Sequence, residues 1–386
     1  MKILHTSHLE ISKSALEHNL QFLKDYIGKG VQISSVVKGN AYGHGLEVFV
    51  PLAEHCGIDH FSVFSADEAL RVHHASTENS TVMIMGLINN EQLEWAIENN
   101  IEFYVFEPDR LEKALQTAQR IGKIAKVHIE VETGMNRTGF AMSQLPAVFQ
   151  LLKNNSSHLC FKGLCTHFAG AESIANYYRI KKQQQVFQKA MKKVNVAGLS
   201  AEQYHTACSA AALRYPKFQM DMVRLGIIQY GFFPNKEILI EYLTKKKENK
   251  NPLQRLLTWK SRVMDVKKVK TGEFVGYGTS YLANSDLKIA IIPVGYAHGF
   301  SRNLSNQGIV LINGQRVSVV GTVNMNMITV DVSHQVNSVE KGDEVVLIGK
   351  QGDLEISVSS FSEYSEQVNY ELLTRLPENL PRLVVD

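Results

Sequence analysis

Short β-rich runs alternate with helix-like segments through about the first 230 residues, and this alternation restricts the possible folds more than any other feature. The runs read VQISSVV (31–37), HFSVFS (60–65), TVMIMG (81–86), EFYVFE (102–107), KVHIEVE (126–132), FKGLCTHF (161–168), EQYHTAC (202–208) and MVRLGII (222–228). Between them, SALEHNLQFLKDYI puts Leu16, Leu20, Leu23 and Ile27 on one helical stripe, and Ser14 with Glu17 reads as a capping box. DEALRVHH, EQLEWAIENN, PDRLEKALQTAQRI and SQLPAVFQLLKNN continue the pattern. About eight strand–helix units in this length predict an α/β fold, a (β/α)8 TIM-type barrel. A doubly wound open sheet is the rival, but no GxGxxG follows the first run.

The pattern changes after the lysine-rich stretch Lys245 to Lys250, itself expected to be a solvated loop. KSRVMDVKKVKTGEFVGYG, LKIAIIPVGY, GIVLINGQRVSVVGTVNM, MITVDV and KGDEVVLIGK read as strands. Asn313-Gly314, between two alternating runs, reads as a hairpin turn. No helical pattern returns until Ser360 to Tyr370. The expected organisation is a barrel over 10–240 and a C-terminal mostly-β domain over 245–386, joined by an N-terminal strand within 1–9.

Composition narrows the function classes. The 386 residues are 44% hydrophobic and 20% charged, as in a soluble globular protein. Forty-one basic against 38 acidic residues leave +3, and no basic tract is interleaved with aromatics, so no nucleic-acid partner is expected. No run approaches about 20 apolar residues, so no membrane span is expected. The opening MKILHTSHLEISK lacks the apolar stretch of a signal peptide. The four cysteines, 56, 160, 165 and 208, form no CxxC pair and no metal-ligand spacing, which fits a reduced cytoplasmic setting without a metal.

In a barrel of this kind, chemistry gathers where strands end at the C-terminal face. Lys38 ends the first run, inside VVKGNAYGHG. Glu132 ends the fifth, with Arg137 just beyond; His167 ends the sixth; Ser209 follows the seventh; Arg224 lies in the eighth, two residues before Gly226. On the fifth run, period two puts His128, Glu130 and Glu132 on one face and Val127, Ile129 and Val131 on the other. Inward charges there need partners, either in a site at the mouth or in an ion pair with Arg137. Each residue also has an ordinary explanation: a solvated strand-end lysine, a satisfied core histidine, a helix-capping serine, packed tyrosines. Their convergence on one end of one barrel favours a site. A lysine there can condense with an aldehyde cofactor once burial and nearby cations free its amine. Pyridoxal 5′-phosphate adds a phosphate that backbone N–H groups at Ser209, Gly226 and Ile227 would hold. A class I aldolase would look alike at this level.

VVKGNAYGHG, VETGMNRTGF, THFAGAES, HTACSAAALR, VRLGIIQYG, VGYGTSY, PVGYAHGF and VNYELLTRLP together resemble the ordered motif set of the alanine racemase family, from residue 31 to the C-terminus. The resemblance implies pyridoxal phosphate, a homodimer with shared active sites, and two-base interconversion of L- and D-alanine for peptidoglycan precursors. It implies Lys38 as cofactor lysine and base for the D-enantiomer. Tyr277, from the other subunit, would be the base for the L-enantiomer, with His167 bonded to it. Arg224 would face the ring nitrogen and keep it unprotonated. Tyr42, Ser209, Gly226, Ile227 and Tyr370 would hold the phosphate. Arg137 and the Met325 backbone would hold the substrate carboxylate, with Tyr296 at the entrance. Three positions depart from the pattern. Glu130 stands where the family often has a carbamate-modified lysine, Cys208 where Asn is usual, and Asn326 where Asp is usual. Alternatives are a racemase acting on serine or basic amino acids, and a non-catalytic barrel that serves pyridoxal phosphate homeostasis. A barrel decarboxylase is disfavoured by Arg224 and Tyr277.

Overall fold

A computed structural model describes residues 5–358 and 369–386. The expected helical stretch 360–370 falls mostly outside them, as do residues 1–4. Contacts divide the chain into two compact units: Leu16–Lys38 with Phe49–Gln254, and Met1–Ala15 with Gly39–Val48 and Arg255–Asp386.

The first unit is built on eight parallel strands. After β1 (Ser7–Ser12), which belongs to the other unit, these are β2 (Gln32–Val36), β3 (His60–Val63), β4 (Thr81–Ile84), β5 (Glu102–Val105), β6 (Ala125–Glu130), β7 (Leu159–Cys165), β8 (Gln203–His205) and β9 (Met222–Leu225). Each pairs with the next from β2 to β8, and β9 pairs with β2. Arg224 N–H donating to the Ala207 carbonyl (2.9 Å) and a bridge between Cys208 and Arg224 bring the ends together into a nearly closed barrel. The strands are buried on both faces, so they read as apolar runs with a few inward polar residues.

The helices between strands follow local chemistry. Over Pro108–Ile121, Glu107 accepts from the N–H groups of Asp109 and Arg110, Pro108 fits the first turn, and Gly122 ends the helix with φ 65°. Two details differ from the sequence reading. The first helix starts at Lys13, and its cap is Ser12, whose Oγ accepts from Ala15 N–H at 3.1 Å, not Ser14. Lys245 and Lys246 form the last turn of the helix Lys236–Lys246, where cations suit the helix C-terminus, and Lys245 pairs with Glu241 at 2.7 Å.

The second unit is mostly β. Its main sheet runs β14 (Gln315–Ser318), β13 (Ile309–Ile312), β16 (Glu344–Gln351), β10 (Leu257–Arg262), β1 and β18 (Arg382–Val385), with β17 (Leu354–Ile356) on β16. A second sheet joins β11 (Asp265–Val269), β12 (Leu287–Ile292) and β15 (Ile328–Asp331). The early strand β1 pairs antiparallel with β10 and parallel with β18, which places it in this unit. Asn313 (φ 51°) and Gly314 (φ 73°) form the hairpin turn between β13 and β14.

Candidate active site

The glycine-rich stretch SVVKGNAYGHG folds into an unusual backbone turn. Immediately after Lys38, residues Gly39, Asn40, Ala41 and Tyr42 all have φ between 51° and 63°, a left-handed turn. Such a conformation costs roughly 1–2 kcal/mol for each non-glycine residue, so something must hold it. Asn40 does so: its side-chain oxygen accepts from Leu46 N–H at 3.0 Å and its carbonyl from Gly45 N–H at 3.0 Å. His44 Nδ1 lies 3.0 Å from the Ala41 carbonyl, and the buried ring is kept neutral, with its pKa pushed down to about 4 by burial. Gly43 is obligatory on space alone, since a Cβ there would lie 1.9 Å from the Leu373 carbonyl oxygen.

In the barrel unit, four cationic or potentially cationic side chains share one neighbourhood. The Lys38 amine has its pKa lowered, first by burial and then by the Arg137 charge, with Glu68 opposing. The His167 pKa is pushed down to about 3 by burial, then by Arg224, Arg137 and Lys38. His167 thus feels Lys38, Arg137 and Arg224 together, and its imidazole is neutral. Glu130 is buried, and burial raises its pKa against Thr138, Arg137 and Arg224. Glu132 is spent on its own loop: its carboxylate accepts from the N–H groups of Gly134, Asn136 (2.9 Å) and Arg137 (3.4 Å), folding TGMNR over the strand end.

Ser209 begins the short helix Ser209–Arg214, and its Oγ accepts from Gly226 N–H at 3.0 Å. Gly226 in turn precedes the 3-10 turn Ile227–Tyr230. Two element starts therefore adjoin, and the first N–H groups of such starts have no partner within their own element. Arg224, on β9, is buried and donates to the carbonyls of Thr166 (2.9 Å) and Thr206 (3.1 Å) and to His205 Nδ1 (2.5 Å).

In the second unit, Tyr296 and Met325 lie together: Tyr296 N–H donates to the Asn324 carbonyl and Ala297 N–H to the Met325 carbonyl, both at 3.0 Å. Gly295 permits this approach, because a Cβ would sit 2.1 Å from the Asn324 oxygen. Tyr277 stands on a loop between Gly276 (φ 76°) and Gly278 (φ 69°), 77% exposed. Tyr370 is also exposed.

Sequence reasoning passed over several groups that shape this site. Buried Gln183 donates to the His167 carbonyl (3.0 Å) and Thr133 Oγ1 (3.1 Å) and accepts from Ala169 N–H (2.9 Å), which fixes the segment carrying His167. Glu102, His60 and His205 also escaped notice. The available signal was a polar residue within an otherwise apolar barrel strand.

A (β/α)8 barrel with a desolvated lysine at its mouth, acted on by the Arg137 charge, suits an enzyme that works with an amine-reactive cofactor. The family model described as "Alanine racemase, N-terminal domain" matches residues 11–234, and "Alanine racemase, C-terminal domain" matches 256–384. The chain belongs to the alanine racemase family, isomerases of amino acids that depend on pyridoxal 5′-phosphate. It is 32% identical to the alanine racemase of Leptospira interrogans over 100% of this chain and 97% of that protein. An alanine racemase structure from Clostridium difficile matches with TM-score 0.90 and 28% identity, over 100% of this chain and 97% of that one. A structure titled histidine racemase, from Leuconostoc mesenteroides subsp. sake, matches with TM-score 0.88 and 28% identity over 100% and 99%. The barrel residues fit the cofactor: a desolvated amine for the aldehyde, a fixed guanidinium, and adjoining element starts for the phosphate.

Proposed function

We propose that the protein interconverts L- and D-alanine in the cytoplasm as a homodimer with shared active sites, supplying D-alanine for peptidoglycan precursors. The barrel of 10–240 binds the cofactor, and the domain over 245–386, with the strand from 1–9, lends the second base. The carrying observation is the desolvated Lys38 amine among Arg137, His167 and Arg224.

When bound, pyridoxal phosphate supplies an electron sink for the carbon that loses its proton. Lys38 holds the cofactor and is the base for the D-enantiomer; its lowered pKa keeps neutral amine available. Tyr277 of the partner subunit is the base for the L-enantiomer, on the opposite face. A single base under the ring cannot easily reach both faces. Neutral His167 hydrogen-bonds Tyr277 and helps to hold it as a base. Arg224 would face the ring nitrogen, and a guanidinium keeps its own protons, so it would leave that nitrogen unprotonated and reactions other than proton exchange would be limited. Arg137, oriented by Glu130, and the Met325 backbone bind the substrate carboxylate. Tyr42, Ser209, Gly226, Ile227 and Tyr370 hold the phosphate. Tyr296 narrows the entrance and favours a small side chain.

A second reading, a racemase of serine or basic amino acids, gains from the likeness to the histidine racemase structure and from Cys208 and Asn326 near the site. The test combines borohydride reduction with peptide mapping and an optical-activity assay. Label at Lys38, with L-alanine losing rotation fastest in a panel with serine, lysine, arginine and histidine, is the expected result. Faster racemisation of another amino acid would replace alanine as substrate, and label elsewhere would refute the site.

A further inference from the structure

Below Arg224 the barrel interior holds a continuous line of buried polar side chains. Arg224 Nη1 donates to His205 Nδ1 at 2.5 Å. His205 Nε2 lies 2.9 Å from His128 Nδ1, and His128 Nε2 lies 2.8 Å from Glu102 Oε2. The same carboxylate oxygen lies 3.5 Å from His60 Nε2, and His60 Nδ1 lies 2.9 Å from Ser34 Oγ. Every member is at most 4% exposed. Glu102 and His60 head strands β5 and β3, at the N-terminal end of the barrel, whereas Arg224 approaches the C-terminal mouth.

The proton positions in this line follow from chemistry. A guanidinium only donates, and an ionised carboxylate only accepts. His205 Nδ1 must therefore be bare, and His128 Nε2 must carry hydrogen. The bond between the rings is then made by one proton, His205 Nε2–H donating to His128 Nδ1. Both imidazoles are neutral, and every bond runs from Arg224 toward Glu102. An added proton would set two N–H groups against each other. Burial, the largest cause, lowers the pKa of both histidines, in agreement with this order. For Glu102, burial alone would raise the pKa, but the hydrogen bonds from His128 and His60 outweigh it and hold the carboxyl well below its usual range.

The fold makes room for the line. The β6–β7 register shifts between Val127 and His128, which re-aims His128. The position beside it is Gly163, where a Cβ would lie 2.1 Å from His128 Nδ1. The arrangement also separates charges in a useful way. Arg224 needs a counter-charge to be buried, but a carboxylate in direct contact would cancel its field at the mouth. Glu130 supplies one nearby counter-charge, and Glu102 stands at the far end of the two imidazoles, out of direct contact with the guanidinium. Lys162, partly exposed, approaches the other Glu102 oxygen at 3.7 Å and links this end to the surface.

We propose that Glu102 and His128 are positioning residues for the reaction, acting through His205 to fix the orientation and charge of the Arg224 guanidinium. Their effect on turnover rests on the reading that Arg224 faces the cofactor; the order of protons along the line does not.

The test uses holoenzyme with 15N-labelled histidine. NMR should show His205 and His128 both protonated at Nε2 alone and unchanged between about pH 6 and 9. A proton on Nδ1 of either ring, or titration in that range, would overturn the proposal. Glu102→Gln removes the charge but keeps an acceptor, and Gly163→Ala pushes the His128 ring aside without removing a polar group. Each should lower kcat roughly tenfold, as losing the outer support of a site residue does, with KM changed less than about twofold. Each should also shift the visible band of the bound cofactor and the His205 resonances. Unchanged kcat and band, with the His205 signals moved, would make the line a core feature only and overturn the positioning role. If Arg224→Lys moves the His205 resonances but leaves the cofactor band untouched, the assignment of Arg224 to the cofactor has failed, and the wild-type tautomers still decide the line itself.

Discussion

Glu130 tests whether a single carboxylate can orient Arg137 in the role proposed for it above. It is buried at the end of β6, and its charged form is favoured by Thr138, Arg137 and Arg224 against the cost of burial. Glu130→Gln keeps the shape and removes the charge. KM for alanine should rise several-fold, with kcat little changed, because the lost interaction concerns carboxylate binding. Since burial raises the Glu130 pKa, acid should protonate it early. Wild-type KM should therefore climb on the acid side, and the Gln variant should lack that limb. Equal KM in the two proteins across the pH range would show that Arg137 is oriented otherwise. Lys38, Arg137, His167 and Arg224 were legible in the sequence because strand ends can be located from apolar runs. Glu102, His60 and His205 were not, because their partners come from β3, β5, β6 and β8, and no local pattern links them.

The left-handed turn 39–42 follows Lys38 directly after β2, and its stability depends on glycine. Gly43→Ala would place a methyl group 1.9 Å from the Leu373 carbonyl oxygen at φ 83°. A loss of roughly 2–3 kcal/mol in urea unfolding is expected; a loss below about 0.5 kcal/mol would mean that the turn relaxes at little cost. At the first helix, Ser12→Ala should cost about 1 kcal/mol and Ser14→Ala should be nearly neutral, because Ser12 makes the cap bond. The sequence pattern pointed to Ser14, with Glu17 three residues on, and the structure corrects it to Ser12. The deciding factor is where β1 releases the chain, which is set by pairing with β10 and β18.

At the scale of the whole molecule, acid should unfold the protein earlier than neutral conditions would suggest. His44 and His167 have native pKa values pushed down to about 4 and about 3 from 6.5, and His128 and His205 shift the same way. In each case the unfolded chain binds the proton first. Their contribution is complete above pH about 6.5 and is lost on acidification toward the native values. Glu102, held low, loses stability in the same direction at still lower pH, whereas Glu130, held high, acts oppositely. Calorimetry should show Tm falling steeply from about pH 6.5 to 4; a flat Tm across that window would contradict the buried neutral histidines. Assembly gives a second test. Tyr277 at 77%, Met325 at 55% and Phe274 at 50% are exposed on the second unit, and the proposed dimer would bring Tyr277 to the partner's site. Inactive Lys38→Ala and Tyr277→Phe proteins, mixed and allowed to exchange subunits, should recover roughly a quarter of wild-type activity, because half the dimers would regain one intact site. No recovery in demonstrated heterodimers would place both bases in one chain.

The sequence alone determined the barrel, the β-rich second unit and the residues at strand ends, because periodicity, turn residues and motif order are local properties of the chain. Tertiary structure decided which polar groups meet inside the barrel and which serine caps the first helix. Those outcomes depend on strand register and on space left by single glycines such as Gly163 and Gly295, quantities that exist only once distant segments have packed.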